Sequence, residues 1–470
     1  VAELIVVDPD SRMPDPDVAV AGARPAVPGE PTMRRIGRFL PLPLAGYALF
    51  DRGFAYVHLP GIPVYMGELL LVAGLVALAV GTPSVRRAVR RRPPAAIVAC
   101  FGLWGLIRTV PFAGRFGLDA IRDAALWYYS LFAIVVAALV TALPDLPEEW
   151  AKRYERFLPW LLVWSPLAIV CGERFTQLLV PNSDVPVFSH KPGNIAVHAA
   201  MALAFLWLVP HPGERQRRRL FLTMLATLVI GITATQSRAG LVSACAVLAI
   251  AWLLSRYGVR MVLYMVGTVA LTLVFAWSID LKMTTDRREI SVGQLVQNIG
   301  SLSGDKSSDL GTTVKWRDDL WNSVLDRTSE EKKLPAGWGF GPNLAEELGF
   351  EGDAAQPLRS PHNSHIDVLA RMGVVGAGLW IALWLSWFTL LVRTRRRMPG
   401  LRNLRRGLID VCMAGVVGML VNAYFDPSLE SPQVALWLWT LVGLGIGLAM
   451  ARDDGRAEPA LTTATLVPRR

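Results

Sequence analysis

Apolar residues occur in long runs along this chain, and polar residues gather between them. The runs lie near residues 39–58, 64–82, 95–112, 124–143, 157–173, 193–210, 220–236, 239–255, 260–279, 366–392, 407–424 and 433–451. A helix rises about 1.5 Å per residue, so about 20 apolar residues cross the ~30 Å hydrocarbon layer of a bilayer. The pattern therefore predicts an all-α integral membrane protein with about twelve transmembrane helices. The first run is the weakest, because Asp51 and Arg52 interrupt it.

The polar segments predict the organisation. Residues 1–33 are Pro-rich and acidic and lack an apolar signal-peptide core, so they read as a disordered tail. Residues 34–279 hold the first nine helices, 280–365 a long loop, 366–451 the last three helices and 452–470 a short tail. A polar loop as long as 280–365 is expected to be functional and partly folded. Helical apolar spacing recurs within it, at Val292, Leu295, Val296 and Ile299 and again at Trp316, Leu320 and Val324. Gly337, Gly339 and Gly341 with Pro335 and Pro342 predict turns. No internal repeat suggests a transporter built from two similar halves.

Composition sharpens this picture. With 53% hydrophobic and 18% charged residues, the chain is neither a soluble globular protein nor a disordered one. The net charge of +10 would raise nucleic acid as a partner for a soluble protein. Here Arg86, Arg87, Arg90, Arg91 and Arg92 follow the second run, and Arg215, Arg217, Arg218 and Arg219 the sixth. Arg256 and Arg260 follow the eighth, and a cluster from Arg393 to Arg406 the tenth. All four follow even-numbered runs, so all lie on one side, the cytoplasm by the positive-inside rule, together with both termini. The loop 280–365 holds ten bases against fourteen acids. The positive excess is a topology signal, and no nucleic-acid partner is implied. Cys100, Cys171, Cys245 and Cys412 fall inside apolar runs and show no disulfide or metal spacing.

Candidate chemistry collects on the opposite side. His362, in Pro361-His362-Asn363-Ser364-His365, ends the long loop, and an imidazole there can take a proton from a hydroxyl near neutral pH. His365 follows one helical turn later; alternatively the two are a polar pair at a membrane interface. His-x-x-His could bind metal, but no Glu or Cys completes a ligand set, so no metal is expected. Arg238, in Thr235-Gln236-Ser237-Arg238-Ala239-Gly240, joins two apolar runs with almost no loop. A guanidinium there should face the interior or a wet cavity, where its fixed donors suit phosphate oxygens, unless it snorkels. Arg317 has Trp321 at i+4, a spacing that allows a cation–π contact, while Asp318 and Asp319 could neutralise it on a solvated face. Arg108, Arg115, Arg122, Asp123, Lys191, Glu68, Asp426 and Glu430 share that side. Arg122-Asp123 could be a local ion pair, and Lys191, before Pro192-Gly193-Asn194, is the best accessory ligand for an anion or a sugar.

Three stretches give the chain a family likeness. The first is His362-Asn363 followed after nine residues by Gly373-Val-Val-Gly376. The second is Arg317-x-x-x-Trp321 with Gly337-Trp-Gly-Phe-Gly341, and the third Ser237-Arg238-Ala-Gly240. In these the chain resembles the O-antigen ligase and O-antigen polymerase superfamily of membrane glycosyltransferases. The resemblance spans 236–376 by motif and about 39–451 by hydropathy. It implies a polytopic fold like that of lipid-donor (GT-C-like) glycosyltransferases, in the bacterial inner membrane, with the active site facing outward. It implies an inverting transfer of a glycan from an undecaprenyl-diphosphate carrier to a glycan or glycolipid acceptor, with no cofactor, nucleotide sugar or metal. His362 would activate the acceptor hydroxyl, Arg238 and Arg317 would hold the diphosphate, and Gly373 and Gly376 would allow close helix packing. Family members ligate O-antigen, polymerise repeat units or glycosylate pilin; the Arg- and Ala-rich composition leans towards a capsular or cell-wall polysaccharide. The N-terminal tail and His365 have no counterpart in the family pattern. Two other classes fit the hydropathy: a secondary transporter of an anion or lipid-linked saccharide, and an inactive partner in a polysaccharide export complex.

Overall fold

The computed structural model of the chain describes residues 30–59, 61–62, 64–80, 89, 91–210, 216–255, 259–280, 282–283, 285, 288–302, 309–350, 359–398 and 403–451. The expected tails therefore fall outside the described residues up to 29 and from 452, as do most of the basic cluster 86–92 and residues 256–258, whereas residues 30–33 of the expected N-terminal tail open a helix. Every regular element among the described residues is helical, with three isolated antiparallel bridges. The longer helices are α1 (Glu30–Phe39), α2 (Pro41–Phe50), α3 (Met66–Val80), α4 (Pro93–Phe116), α5 (Leu118–Ala142), α6 (Leu146–Cys171), α7 (Pro192–Leu208) and α8 (Gln216–Gln236). They continue as α9 (Arg238–Leu254), α10 (Val259–Ser278), α11 (Val292–Leu302), α12 (Asp309–Glu330), α13 (Ser364–Arg396), α14 (Leu404–Phe425) and α15 (Pro432–Ala451).

Among the described residues six helices, α4, α5, α8, α13, α14 and α15, are long and apolar enough to cross a membrane, and α3, α7 and α9 are shorter apolar helices. Among the described residues the architecture is all-helical, and these six helices are consistent with an integral membrane protein. The interruption in the first apolar run is real: α2 has ten residues and stops at Asp51, whose φ is 45°. At about 15 Å it is too short to cross a bilayer alone. Only the second half of α6 is apolar, because Glu148, Glu149, Lys152, Arg153, Glu155 and Arg156 fill its first turns.

Small residues set the packing. Nearly all of α7 is buried, and Ala196, Ala199, Ala200, Ala202 and Ala204 let α8, α9 and α14 approach it closely. α15 lies against α5, with Gly443 facing the Ala133 carbonyl and Gly447 facing Val140. Apolar side chains on α4 (Leu103, Leu106, Ile107, Val110) and α10 (Leu263, Val266, Leu271, Val274) stay exposed, the surface that lipid would cover.

One end of the bundle is tied by arginines. Arg34 pairs with Asp145, Arg218 with Glu155 and Arg395 with Asp410, while Arg405 and Arg406 bond the carbonyls of Leu448 and Met398. The starts of α7, α9 and α13 and the end of α14 meet at the opposite end, where Lys191, Arg238, Ser364 and Asp426 lie.

There α13 is broken. Gly373 has φ 66° and ψ −168°, splitting a short N-terminal half from a long apolar one. A broken helix exposes carbonyls that a bilayer cannot solvate, so protein donors must meet them. Trp338 N–H bonds the Ala370 carbonyl at 2.7 Å, Gly339 N–H that of Arg371 at 3.0 Å, and Trp104 Nε1 that of Met372 at 2.8 Å. The glycine-rich stretch is thus a backbone splint for the break. A Cβ on Gly337 would sit 2.4 Å from the Arg371 carbonyl, and one on Gly373 2.5 Å from the Pro335 carbonyl. The close approach expected at Gly373 is real, but its partner is this loop and not a neighbouring helix. Gly373→Ala adds a steric clash to about 1–3 kcal/mol of backbone strain. It should lower the melting temperature of the detergent-solubilised protein, and an unchanged melt would mean that the break is not needed.

Candidate active site

The site forms where helix ends converge. Pro192 opens α7, and the preceding Lys191 N–H donates to Asp51 Oδ2 at 2.6 Å. Asp51 Oδ1 takes Asn194 Nδ2 at 2.9 Å, and Asn194 Oδ1 takes Asn422 Nδ2 at 3.0 Å, joining the start of α7 to the end of α14. Lys191 Nζ then reaches the Asp426 carboxylate at 2.7 Å. Beside it, Ser237 caps α9 by accepting Gly240 N–H at 3.0 Å, which makes Arg238 the first residue of that helix. A Cβ built on Gly240 would lie 3.0 Å from Gly193 Cα, so the two helix starts are in direct contact. The positive end of a helix dipole at Arg238 favours an anion.

The long loop closes over this floor. Leu320 and Val324 of α12 pack with Trp338, Leu344 and Ala370 in a separate apolar cluster. That docking fixes Arg317 one turn before Leu320. Burial pushes the Arg317 guanidinium below its ordinary pKa, and Asp426 nearby raises it. Among the described residues no carboxylate comes within ion-pair distance of Arg317. The positive charges of Arg317 and Arg288 both act on Arg238.

His362 lies close enough to Asp426, Lys191 and Arg317 to feel the charge of each. Its φ of 53° is left-handed, a conformation that costs a non-glycine residue about 1–2 kcal/mol. Trp321 Nε1 holds the preceding Pro361 carbonyl at 2.7 Å, and Asn363 caps the half-helix by accepting the His365 and Ile366 N–H groups. The imidazole lies edge-on to Trp316, 6.4 Å between ring centres. Burial pushes its pKa below the ordinary 6.5; Asp426 raises it, and Lys191 and Arg317 lower it. A neutral imidazole with cations around it can accept a proton, and those cations can stabilise a nearby anionic group.

The structure thus brings His362, Arg238, Arg317 and Lys191 to one region and keeps two other candidates apart. His365 has both ring nitrogens engaged: Nε2 donates to the Leu420 carbonyl at 2.9 Å, and Nδ1 accepts from Trp380 Nε1 at 3.1 Å. Arg122 is exposed, and its suggested pair with Asp123 does not form. Asp123 is buried and takes Arg359 and Arg371 instead, each at 3.1 Å. Nor does Trp321 pack on Arg317. Its N–H is drawn to Pro361 and its ring stacks edge-on with Tyr424 at 5.2 Å, so Trp321 positions the His362 loop. Glu68 is occupied by the hydroxyls of Tyr128 and Tyr129.

Two features escaped the sequence reading. Arg288 has no spacing signal and is brought in beside the Met283–Ile290 bridge. The buried ion network of Asp123, Arg371 and Asp367 did leave one, since Asp367 and Arg371 stand at i and i+4 inside an apolar run.

No curated protein matches the chain. Residues 222–381 match the family model described as O-Antigen ligase, a span that contains Arg238, Arg317, His362, Gly373 and Gly376. By that match about a third of the chain, 160 of its 470 residues, is similar to the O-antigen ligase family.

Proposed function

We propose that this protein transfers an oligo- or polysaccharide from an undecaprenyl-diphosphate carrier to a glycan or glycolipid acceptor at the outer face of a bacterial inner membrane. The observation that carries the reading is the meeting of His362 with two diphosphate-ready guanidiniums, Arg238 and Arg317, at the end of the bundle remote from the arginine ties. By the positive-inside rule that end faces out, and both termini face the cytoplasm.

In this reading the acceptor hydroxyl oxygen attacks the anomeric carbon and its proton passes to the neutral His362 imidazole. The bond from that carbon to the diphosphate oxygen breaks, and the electron pair leaves with the diphosphate. Arg238 and Arg317 stabilise that departing charge, which is the main electrostatic demand of the step. Attack opposite the leaving group inverts the anomeric centre. Lys191 is held by Asp426, so its role is to set the charge around His362 and to line the acceptor side.

The test is transfer by the purified full chain, given an undecaprenyl-diphosphate oligosaccharide and acceptor. Arg317→Ala should lower kcat by about 10²–10³-fold, the usual cost of one transition-state donor, with Arg317→Lys recovering part of it. Full turnover in Arg317→Ala, or donor uptake into vesicles without conversion, would overturn the proposal.

A further inference from the structure

Arg288 stands beside the diphosphate site without any assigned role. Met283 and Ile290 form an antiparallel bridge, with Ile290 N–H to the Met283 carbonyl at 2.8 Å. The Arg288 carbonyl accepts Gln236 Nε2 at 3.0 Å, and Thr285 Oγ1 lies 2.6 Å from the same oxygen. Gln236 is two residues before Arg238, so this clamp seats the Arg288 backbone against the α8–α9 turn.

The side chain has its own support. Asn298 is fully buried, and its Nδ2 donates to the Ala234 and Thr235 carbonyls, both at 2.8 Å. Those are carbonyls at the C-terminal end of α8, which has no further turn to satisfy them. Asn298 Oδ1 in turn accepts Arg288 Nη1 at 3.0 Å. One amide therefore fastens α11 to α8 and aims a guanidinium. The fastening itself does not need the arginine, because the two carbonyl bonds already make it.

Charge decides what the arginine is for. Arg238, Arg288 and Arg317 come from three separate elements, and Arg238 feels the charge of both others. Among the described residues no carboxylate pairs with Arg288, and burial lowers its pKa. Asp426, the acid that acts on Arg317, is already paired with Lys191. Like charges gathered in a partly dry site repel one another, and such a cluster is relieved by a bound anion.

We propose that Arg288 is a third ligand for the carrier diphosphate and that it supplies the preference for a diphosphate over a monophosphate lipid. This deepens the proposed function and rests on it. A diphosphate diester carries two charged phosphates, and planar guanidiniums arriving from three directions can bind both at once. A single phosphate gathers its oxygens around one phosphorus, so it offers the three guanidiniums a shorter span and less charge than a diphosphate.

The experiment uses the full chain in lipid nanodiscs. Undecaprenyl diphosphate and undecaprenyl monophosphate are compared as competitive inhibitors of glycan transfer. Arg288→Gln should raise the donor KM and the diphosphate inhibition constant by about 10–100-fold, the value of a hydrogen bond to a charged group. The monophosphate constant should move little, so the ratio between the two collapses. Arg288→Lys, which keeps the charge and loses the fork, should fall between. A melting temperature equal to that of the unchanged protein shows that the variants are folded. Should Arg288→Gln retain the wild-type ratio, the inference is wrong while the proposed function stands. Should the unchanged protein transfer glycan without being inhibited by undecaprenyl diphosphate, the diphosphate reading itself fails.

Discussion

His362→Asn should reduce transfer by about 10²–10⁴-fold, the range for loss of a general base, with little change in the melting temperature. Asparagine is the informative replacement because the backbone here is left-handed, with φ 53°. Asparagine tolerates that region about as well as histidine does, so the loop should keep its path. Alanine would lose the base and disfavour the backbone together. Wild-type turnover in a folded His362→Asn protein would remove proton acceptance by this ring from the mechanism.

The same residue fixes the pH profile. Burial holds its pKa below 6.5, so the neutral, proton-accepting form dominates at neutral pH. Activity is then present above the His362 pKa and lost as pH falls through it. Lys191 and Arg317 push that pKa down and Asp426 pushes it up. Asp426→Asn removes the upward push, so the acid limb of kcat/KM should move to lower pH. A limb that stays in place, or moves up, would mean that another group sets it.

Much of this arrangement was written in apolar run length and in a few spacings. The helical spacings at Val292–Ile299 and Trp316–Val324 appear in the helices Val292–Leu302 and Asp309–Glu330; Leu320 and Val324 enter an apolar cluster, while Val296 and Ile299 stay exposed. Arg238 was legible because a charge between two apolar runs has few places to go. Arg288 was not, since its position depends on Asn298 reaching carbonyls more than sixty residues earlier in the chain. Nor was His365 separable from His362 by sequence. The three-residue step takes it across the Asn363 cap into the helix, where Leu420 and Trp380 occupy it. The break at Gly373 was visible as a glycine, but its reason lies in a loop thirty-odd residues upstream that supplies the missing donors.

Arg371→Ala should be the most damaging change to the fold. The side chain is fully buried, with Nε 3.1 Å from both Asp367 oxygens and Nη1 3.1 Å from Asp123. It also reaches the Pro342 and Arg359 carbonyls. One guanidinium thus joins the N-terminal half of α13 to α5 and to the loop after the glycine splint. Removing it leaves Asp367 and Asp123 buried against each other, with Arg359 able to serve only Asp123. Breaking a buried ion pair from one side costs about 3–5 kcal/mol, because the remaining charge keeps its desolvation penalty. Against a net stability of about 5–15 kcal/mol, typical of folded proteins, that is a large share. The expected result is poor accumulation in the membrane and a melting temperature lower by several degrees. Loss of activity should follow because the half-helix carries the Asn363 cap beside His362. Arg371→Met with Asp367→Leu should recover part of the stability, since it removes a charge from each side of the pair, and restored folding without restored transfer would assign this network a positioning role. A single Arg371→Ala protein that melts like the wild type would show that water reaches these carboxylates and that the half-helix is held by its backbone splint alone.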